Sequence, residues 1–161
     1  MIIRFITTMI IFLAVCVGAN AKTNRIQGLP AAREKSKAAL KANAERLNII
    51  AENLANKDTT GLNPNELPYT RKILHFKNEY DPNIGTTVVK VDKVKADTKP
   101  YEVRYEPGHP AASAAGYVLY PNVREVVEVM DSKETKRLYE ANLEAYKTTQ
   151  NLIQRTMDII R

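Results

Sequence analysis

The chain is poor in the residues that most often carry out catalysis or bind metals. Its 161 residues contain two histidines, one cysteine and no tryptophan. Histidine is the usual general base and the commonest metal ligand, and HExxH, CxxC, the Walker loop and the G-x-S-x-G elbow are all missing. His75 lies in a stretch typical of a strand and His109 in a Pro-Gly-His-Pro turn, so both are interpreted as structural. These absences argue against an enzyme, a cofactor, a metal site and a small-molecule substrate.

The charged residues are mixed rather than clustered. The chain has 24 lysines and arginines against 18 acids, a formal charge of +6, but bases and acids alternate, as at Arg33, Glu34 and Lys35. Alternating charge is typical of a solvated helix face, and Glu125 and Glu128 are interpreted in the same way. A nucleic-acid-binding protein more often has a concentrated basic patch with stacking aromatic residues. The sequence therefore predicts no nucleic-acid partner.

The first 21 residues are typical of a secretory signal. Arg4 gives a basic start, residues 5–17 are mostly apolar, and residues 18–21 fit an A-x-A cleavage site. The apolar run is shorter than the roughly 20 residues that span a bilayer, so cleavage is preferred to a retained anchor. Lipid attachment at Cys16 is a third alternative, although Val15 is large for a lipobox. All three place the working protein outside the cytoplasm, and cleavage leaves it without a thiol, a disulfide or direct membrane insertion.

Residues 31–56 predict the first long helix. They are mostly Ala, Leu, Lys, Glu and Arg, which are strong helix formers. Pro30 suits the first helical turn, and Gly61 followed by Pro64 predicts that the helix has ended before them. The apolar positions step by four and three residues, as in a coiled-coil seam, and they are Leu40, Ala44, Leu47, Ala51 and Leu54.

The stretch between about residues 62 and 122 is rich in proline and tyrosine and predicts a small antiparallel sheet. Strand patterns occur at 70–76, 87–91, 101–106 and 117–120, with strict alternation in the third. Pro107 and Gly108 predict a type II turn between the last two.

Residues 125–161 predict a second long helix, because no glycine or proline follows Pro121. At 1.5 Å per residue it would be about 55 Å long, too long for so small a domain to cover on every side. One face carries Val127, Met130, Leu138, Ala141, Ala145, Leu152 and Ile159.

These patterns divide the chain into four segments: a signal at 1–21, a helical arm at 22–57, a β-rich middle at 58–122 and a long helix at 123–161. The predicted fold class is α+β, with the terminal helices forming a coiled-coil pair around a small antiparallel middle segment.

Four blocks of the sequence, in this order, resemble bacterial flagellar rod and hook proteins, and the later blocks are most similar to the proximal rod proteins of that family. The blocks are NIIAENLAN at 48–56 with TTG at 59–61, PYTRK at 68–72, the stretch from YEPGHP at 105–110 to PNV at 121–123, and an R-x-Y-x-AN element at 137–142. The resemblance implies a structural subunit of the basal-body rod, the drive shaft that crosses the periplasm. It implies partners among the other rod subunits and further copies of this chain, with the terminal helices packed as coiled coils. Because rod proteins normally leave the cell without a cleaved signal, residues 1–21 depart from the family pattern.

The residues expected at the assembly interface come from both helices. On the first helix they are the five seam residues together with Asn53 and Asn56; on the second they are Leu138, Tyr139, Ala141, Asn142, Ala145 and Leu152. The three asparagines carry donors and acceptors that fix register between packed helices, with capping an equal alternative for Asn56. For Tyr139, a place in the core of the subunit is an equal alternative to a place at the interface. Pro107 and Gly108 are expected to form a structural turn. The alternative function is a periplasmic or secreted rod-like interaction protein used outside a flagellum; a protein lying on anionic membranes is disfavoured, because the first helix lacks a wide aromatic face.

Overall fold

Two long helices bracket a β-rich middle, so the predicted α+β fold class is confirmed. The computed structural model describes the backbone of residues 2–160 and the side chains of residues 28–160. The elements in chain order are α1 (Ile2–Ala55), β1 (Lys72–Asp81), β2 (Thr86–Ala96), β3 (Glu102–Tyr105), β4 (Tyr117–Tyr120) and α2 (Glu125–Ile160). The side chains of the expected signal segment, Cys16 among them, lie outside the described residues. Among the described residues, no helix is both long and apolar enough to cross a membrane.

Helix α1 begins earlier than the sequence predicts, because Pro30 lies inside it rather than in its first turn. Proline fits the helical φ, but it lacks the N–H that would bond four residues back and its ring crowds the carbonyl there, at a cost of about 3 kcal/mol inside a helix. The strong helix formers that follow Pro30 continue α1 to Ala55. Helix α2 covers the predicted stretch.

The two helices run antiparallel. Arg46 of α1 lies 3.4 Å from the carboxylate of Asp131, and Asn53, two turns later in α1, bonds to Glu128, earlier in α2. A row of buried and half-buried positions on α2 steps by four and three residues, and it is mostly polar: Glu128, Ser132, Thr135, Tyr139, Asn142, Tyr146, Thr149 and Ile153. The helices therefore meet along a largely polar seam on α2, not along its leucine–alanine face.

The middle segment contains two separate antiparallel hairpins instead of one sheet. β1 pairs with β2 from Lys72–Ala96 to Asp81–Thr86, with a bulge between His75 and Phe76, and the tip contains Gly85 with a φ of 62°. β3 pairs with β4 over four residues. α1 packs against the first hairpin, where Ala42 and Val88 are both buried. The stretch between the hairpins contains Pro100, which has no N–H for strand pairing, and this separates them.

The predicted turn at Pro107 and Gly108 is present, but its predicted type is wrong. The His109 N–H donates to the carbonyl of Glu106 over 3.1 Å, which closes a four-residue turn. A type II turn requires a positive φ at its third residue, and the glycine with a positive φ here is Gly116, at 80°. Gly116 stands where a Cβ atom would come within 2.8 Å of the Tyr105 ring, so this position, not Gly108, demands glycine.

Candidate functional site

A cluster of hydrogen-bonded polar side chains lies where α1 ends, β1 begins, β2 ends and α2 begins. This polar junction consists of Asn53, Tyr69, Arg71, Asp97, Asn122 and Glu128. Because its members come from the end of α1, the two ends of the first hairpin and the beginning of α2, the junction fixes how the helices and the first hairpin sit together.

Asn53 is the centre of the junction, and its side chain is 1% exposed. Its Oδ1 accepts hydrogen bonds from the Tyr69 hydroxyl and the Lys72 N–H, each over 2.9 Å. Its Nδ2 donates to the Lys72 carbonyl over 2.9 Å and to Glu128 over 3.2 Å. Both ends of the amide are therefore used, which is the arrangement that holds an amide in one orientation.

Arg71 bridges two acids within the junction. Its Nε donates to Glu128 over 2.7 Å, and a terminal nitrogen lies 3.2 Å from Asp97. Glu128 is fully buried, and a buried carboxylate is tolerated only when it is paired and hydrogen-bonded. Burial alone would lower the pKa of Arg71, but the hydrogen bonds and charges of Glu128 and Asp97 outweigh it, so the pKa is raised above its usual value.

Asn122 connects the junction to the backbone just before α2. Its Oδ1 accepts from the Arg71 N–H over 2.8 Å, and its Nδ2 donates to the carbonyls of Lys99 and Asp97. The Asp97 N–H in turn donates to the Arg71 carbonyl over 2.7 Å. The entry to α2 is thereby tied to both strands of the first hairpin.

Tyr69 closes the junction on the side of α1. Burial raises the pKa of the Tyr69 hydroxyl to about 12, with further contributions from the charges of Glu52 and Glu128. A hydroxyl that stays protonated keeps donating to Asn53.

The interpretation of Glu128 as part of a solvated helix face is wrong. Glu128 follows Val126 and Val127 and precedes Val129, so a carboxylate among branched apolar residues was the available signal. Asp97 carries no comparable signal, because its partner Arg71 is distant in sequence and only the fold brings them together.

Asn56 and Asn142 bond locally rather than across the helices. Asn56 donates to the carbonyl of Glu52 and accepts from Thr59, which is a capping arrangement. Asn142 donates to the carbonyl of Leu138 within α2. Of the three asparagines, Asn53 has the geometry expected for fixing register between the helices.

The predicted apolar residues form two stripes that lie beside the polar seam. The front stripe consists of Leu40, Ala44, Leu47, Ala51 and Leu54; the rear stripe consists of Leu138, Ala141, Ala145 and Leu152. The front stripe is half-buried except for Ala51, and every residue of the rear stripe is exposed, while Tyr139 is half-buried in the seam. Asn53 and Arg46, which bond to α2, each lie one position before a residue of the front stripe. One position is a rotation of about 100° around the helix, so the front stripe lies to one side of the contact with α2. Among the described residues no cluster of His, Cys, Asp and Glu is suited to a metal ion.

Known proteins match both the end of α1 and most of the chain beyond it. Residues 36–61, which contain Asn53 and Gly61, match the family described as "Flagella basal body rod protein". A flagellar basal-body rod protein FlgC of Agrobacterium fabrum is 38% identical over 83% of this chain and 96% of its own length. This chain belongs to the FlgC family. The FlgC proteins of Salmonella typhimurium and of Buchnera aphidicola from Acyrthosiphon pisum are 39% and 34% identical, over 75% of this chain and 90% of their own lengths.

Membership of the FlgC family confirms the predicted function, a structural subunit of the flagellar basal-body rod, and the predicted location in the basal body. The family is structural and non-enzymatic. The polar junction is accordingly a structural centre rather than a catalytic one.

Proposed function

We propose that this chain enters the rod through the front and rear stripes, which pack against terminal helices of neighbouring rod subunits and of further copies of this chain. One observation carries the proposal: α1 and α2 are joined through the polar seam, so the rear stripe stays exposed and the front stripe stays at least partly exposed. Leucines stepping by three and four residues pack as knobs into a facing helix, and the alanines between them allow close approach. Contacts that repeat without closing into a ring produce a helical tube.

We also propose that residues 1–21 are removed on export and that the subunit works in the periplasmic part of the basal body. Two observations support this. An A-x-A pattern lies before Lys22. The match to the Agrobacterium relative uses 96% of the relative but only 83% of this chain, so this chain has residues that the match does not need. Sequencing of the N-terminus of the subunit from purified basal bodies tests it. A first residue of Lys22 is expected; a first residue of Met1 would contradict processing without affecting the assembly proposal.

The stripe proposal is tested by placing a carboxylate on the front stripe. In cells that express Leu47→Asp or Ala51→Asp in place of the natural chain, we expect export to continue while rod assembly and swimming are lost, because a buried unpaired charge is costly in an interface. Ala51 is already exposed in the single subunit, so Ala51→Asp leaves the fold intact. Asn48→Asp, an exposed neighbour off the stripe, is the matched control and should swim. Normal swimming of Ala51→Asp would refute the proposal.

A further inference from the structure

The loop between α1 and β1 presents two leucines to solvent. Leu62 is 78% exposed and Leu67 is 67% exposed, and only four positions separate them in the chain. A single exposed apolar side chain is ordinary on a protein surface. Two exposed leucines in one short loop instead form a small apolar surface of the kind that marks an interaction site. Residues 61–67 are called the leucine loop.

The leucine loop is held in one shape by its own hydrogen bonds. The Leu62 N–H donates to the Glu66 carboxylate over 2.8 Å, and the Glu66 N–H donates to the carbonyl of Asn63 over 3.0 Å. A Cβ atom at Gly61 would collide with the Glu66 carbonyl, so the two ends of the loop adjoin and the leucines lie in one part of the surface. A partner that binds this loop does not have to order it first, which removes a common cost of association.

An apolar cleft lies between α1 and β2, several turns before the end of α1. Its volume is about 430 Å³, within the range of about 300–1,000 Å³ that is usual for sites that bury a compact apolar group. Its apolar lining consists of Ala38, Ala42, Val89 and Val91. The small alanine side chains of α1 leave the space that larger residues would fill. This cleft is called the alanine cleft.

We propose that the leucine loop of one copy of this chain inserts Leu62 and Leu67 into the alanine cleft of the next copy. This inference rests on the proposed assembly with further copies. None of the residues 61–67 lines the cleft of its own chain, and residues 38 to 55 span about 25 Å of helix at 1.5 Å per residue. The occupant therefore comes from another molecule.

Shape favours a loop of a second copy as that occupant. The cleft covers residues 38–45 of α1, about two helical turns, which is short for a long terminal helix but sufficient for a loop with two leucines. A protruding apolar group on one surface and a cleft on another join identical copies head to tail, without closing a ring. Such a contact can repeat along a rod.

The rim of the cleft also suits an acidic loop. Residues 58–67 contain two acids and no lysine or arginine. The charged rim residues are Lys41, Glu45 and Lys90. Lys90 pairs with Glu79 over 2.6 Å, so Lys41 is the cation that we assign to the carboxylates of the incoming loop. Opposite charges across an interface steer association and fix register more than they add affinity.

Cross-linking of a double-cysteine variant tests the contact. The full-length chain carries Leu62→Cys and Ala38→Cys, with Cys16→Ser so that no other thiol is present. After assembly, a short bismaleimide should convert the subunit into a ladder of dimers, trimers and larger products, because each copy offers its loop and its cleft to different neighbours. In the matched control, Asn48→Cys replaces Ala38→Cys. Asn48 is exposed on α1 about 15 Å further along the helix, and this control should give no ladder.

A second pair of variants needs no cysteine. The double change Leu62→Asp and Leu67→Asp places carboxylates on side chains that are already exposed, so circular dichroism should show an unchanged fold. Rod assembly and swimming should be lost, because the carboxylates would be buried in an apolar cleft. Asn65→Asp adds the same charge to an exposed position of the same loop and should swim.

The outcomes separate this inference from the stripe proposal. A ladder of equal strength from the Asn48→Cys control, or normal swimming of the Leu62→Asp and Leu67→Asp variant, would overturn the cleft contact. If that variant does not assemble and the double-cysteine chain gives no ladder, the loop binds a different partner and the inference is wrong. For a cysteine variant that does not enter the rod, the ladder is measured in the concentrated purified chain. Absence of the ladder leaves the stripe proposal standing as long as Ala51→Asp blocks assembly.

Discussion

Asn53 of α1 and Glu128 of α2 are joined by a buried hydrogen bond of 3.2 Å across 75 positions of the chain. Neither side chain has access to water, so each depends on its protein partners. This bond holds the end of α1 beside the beginning of α2, and therefore fixes the direction in which both helices leave the middle segment.

Asn53→Asp should destabilise the subunit strongly. The carboxylate cannot donate to Glu128 or to the Lys72 carbonyl, and it places a second negative charge beside a buried one. We expect a loss of about 3 kcal/mol in the free energy of unfolding, the size typical of a buried group left unsatisfied near a charge. Urea denaturation of the purified chain measures it. Asn48→Asp makes the same chemical change on the exposed side of α1 and should leave the midpoint almost unchanged.

Arg71→Met should lower the free energy of unfolding at least as much as Asn53→Asp does, because it leaves the Glu128 carboxylate buried without its cationic partner. Breaking a buried pair by removing one partner typically costs about 3–5 kcal/mol. Adding Glu128→Gln to Arg71→Met removes the stranded charge, so the double variant should be more stable than Arg71→Met alone. Strict additivity of the two single changes in denaturation experiments would show that the residues are not coupled.

The sequence predicted the two long helices and the location of four strands, because periodicity and helix propensity are local properties, but it did not predict that the strands form two separate hairpins. It did not predict the polar junction. The partners Arg71, Asp97 and Glu128 are far apart in the chain, and the valines around Glu128 are a local sign of burial but do not identify its partners. The stripe residues were found from their spacing, but spacing cannot say whether a stripe faces the other helix or a neighbouring subunit.

Tyr69 makes stability depend on pH in the alkaline range. Its pKa is about 12 in the folded chain against an ordinary value of 10.0, so the unfolded chain loses this proton first. The contribution is fully present below pH 10 and is lost as pH rises from 10 to about 12. Denaturation midpoints measured across that range should fall more steeply in the natural chain than in Tyr69→Phe. Parallel curves would mean that Tyr69 is not perturbed.

Gly116→Ala should disrupt the packing of the Tyr105 ring on the Tyr117 ring in the β3–β4 hairpin without unfolding the helices. The φ of Gly116 is 80°, a conformation that costs a residue with a Cβ about 1 kcal/mol or more, and the new methyl group would meet the Tyr105 ring and Pro107. Helical circular dichroism should be retained, while the NMR signals that report contact between Tyr105 and Tyr117 should weaken. Gly108→Ala is the matched control, because a Cβ atom at Gly108 meets nothing within 4 Å. If both variants retain the ring contact, the close approach at Gly116 does not constrain the hairpin; if both lose it, the turn at Pro107 and Gly108 is as demanding as the one at Gly116.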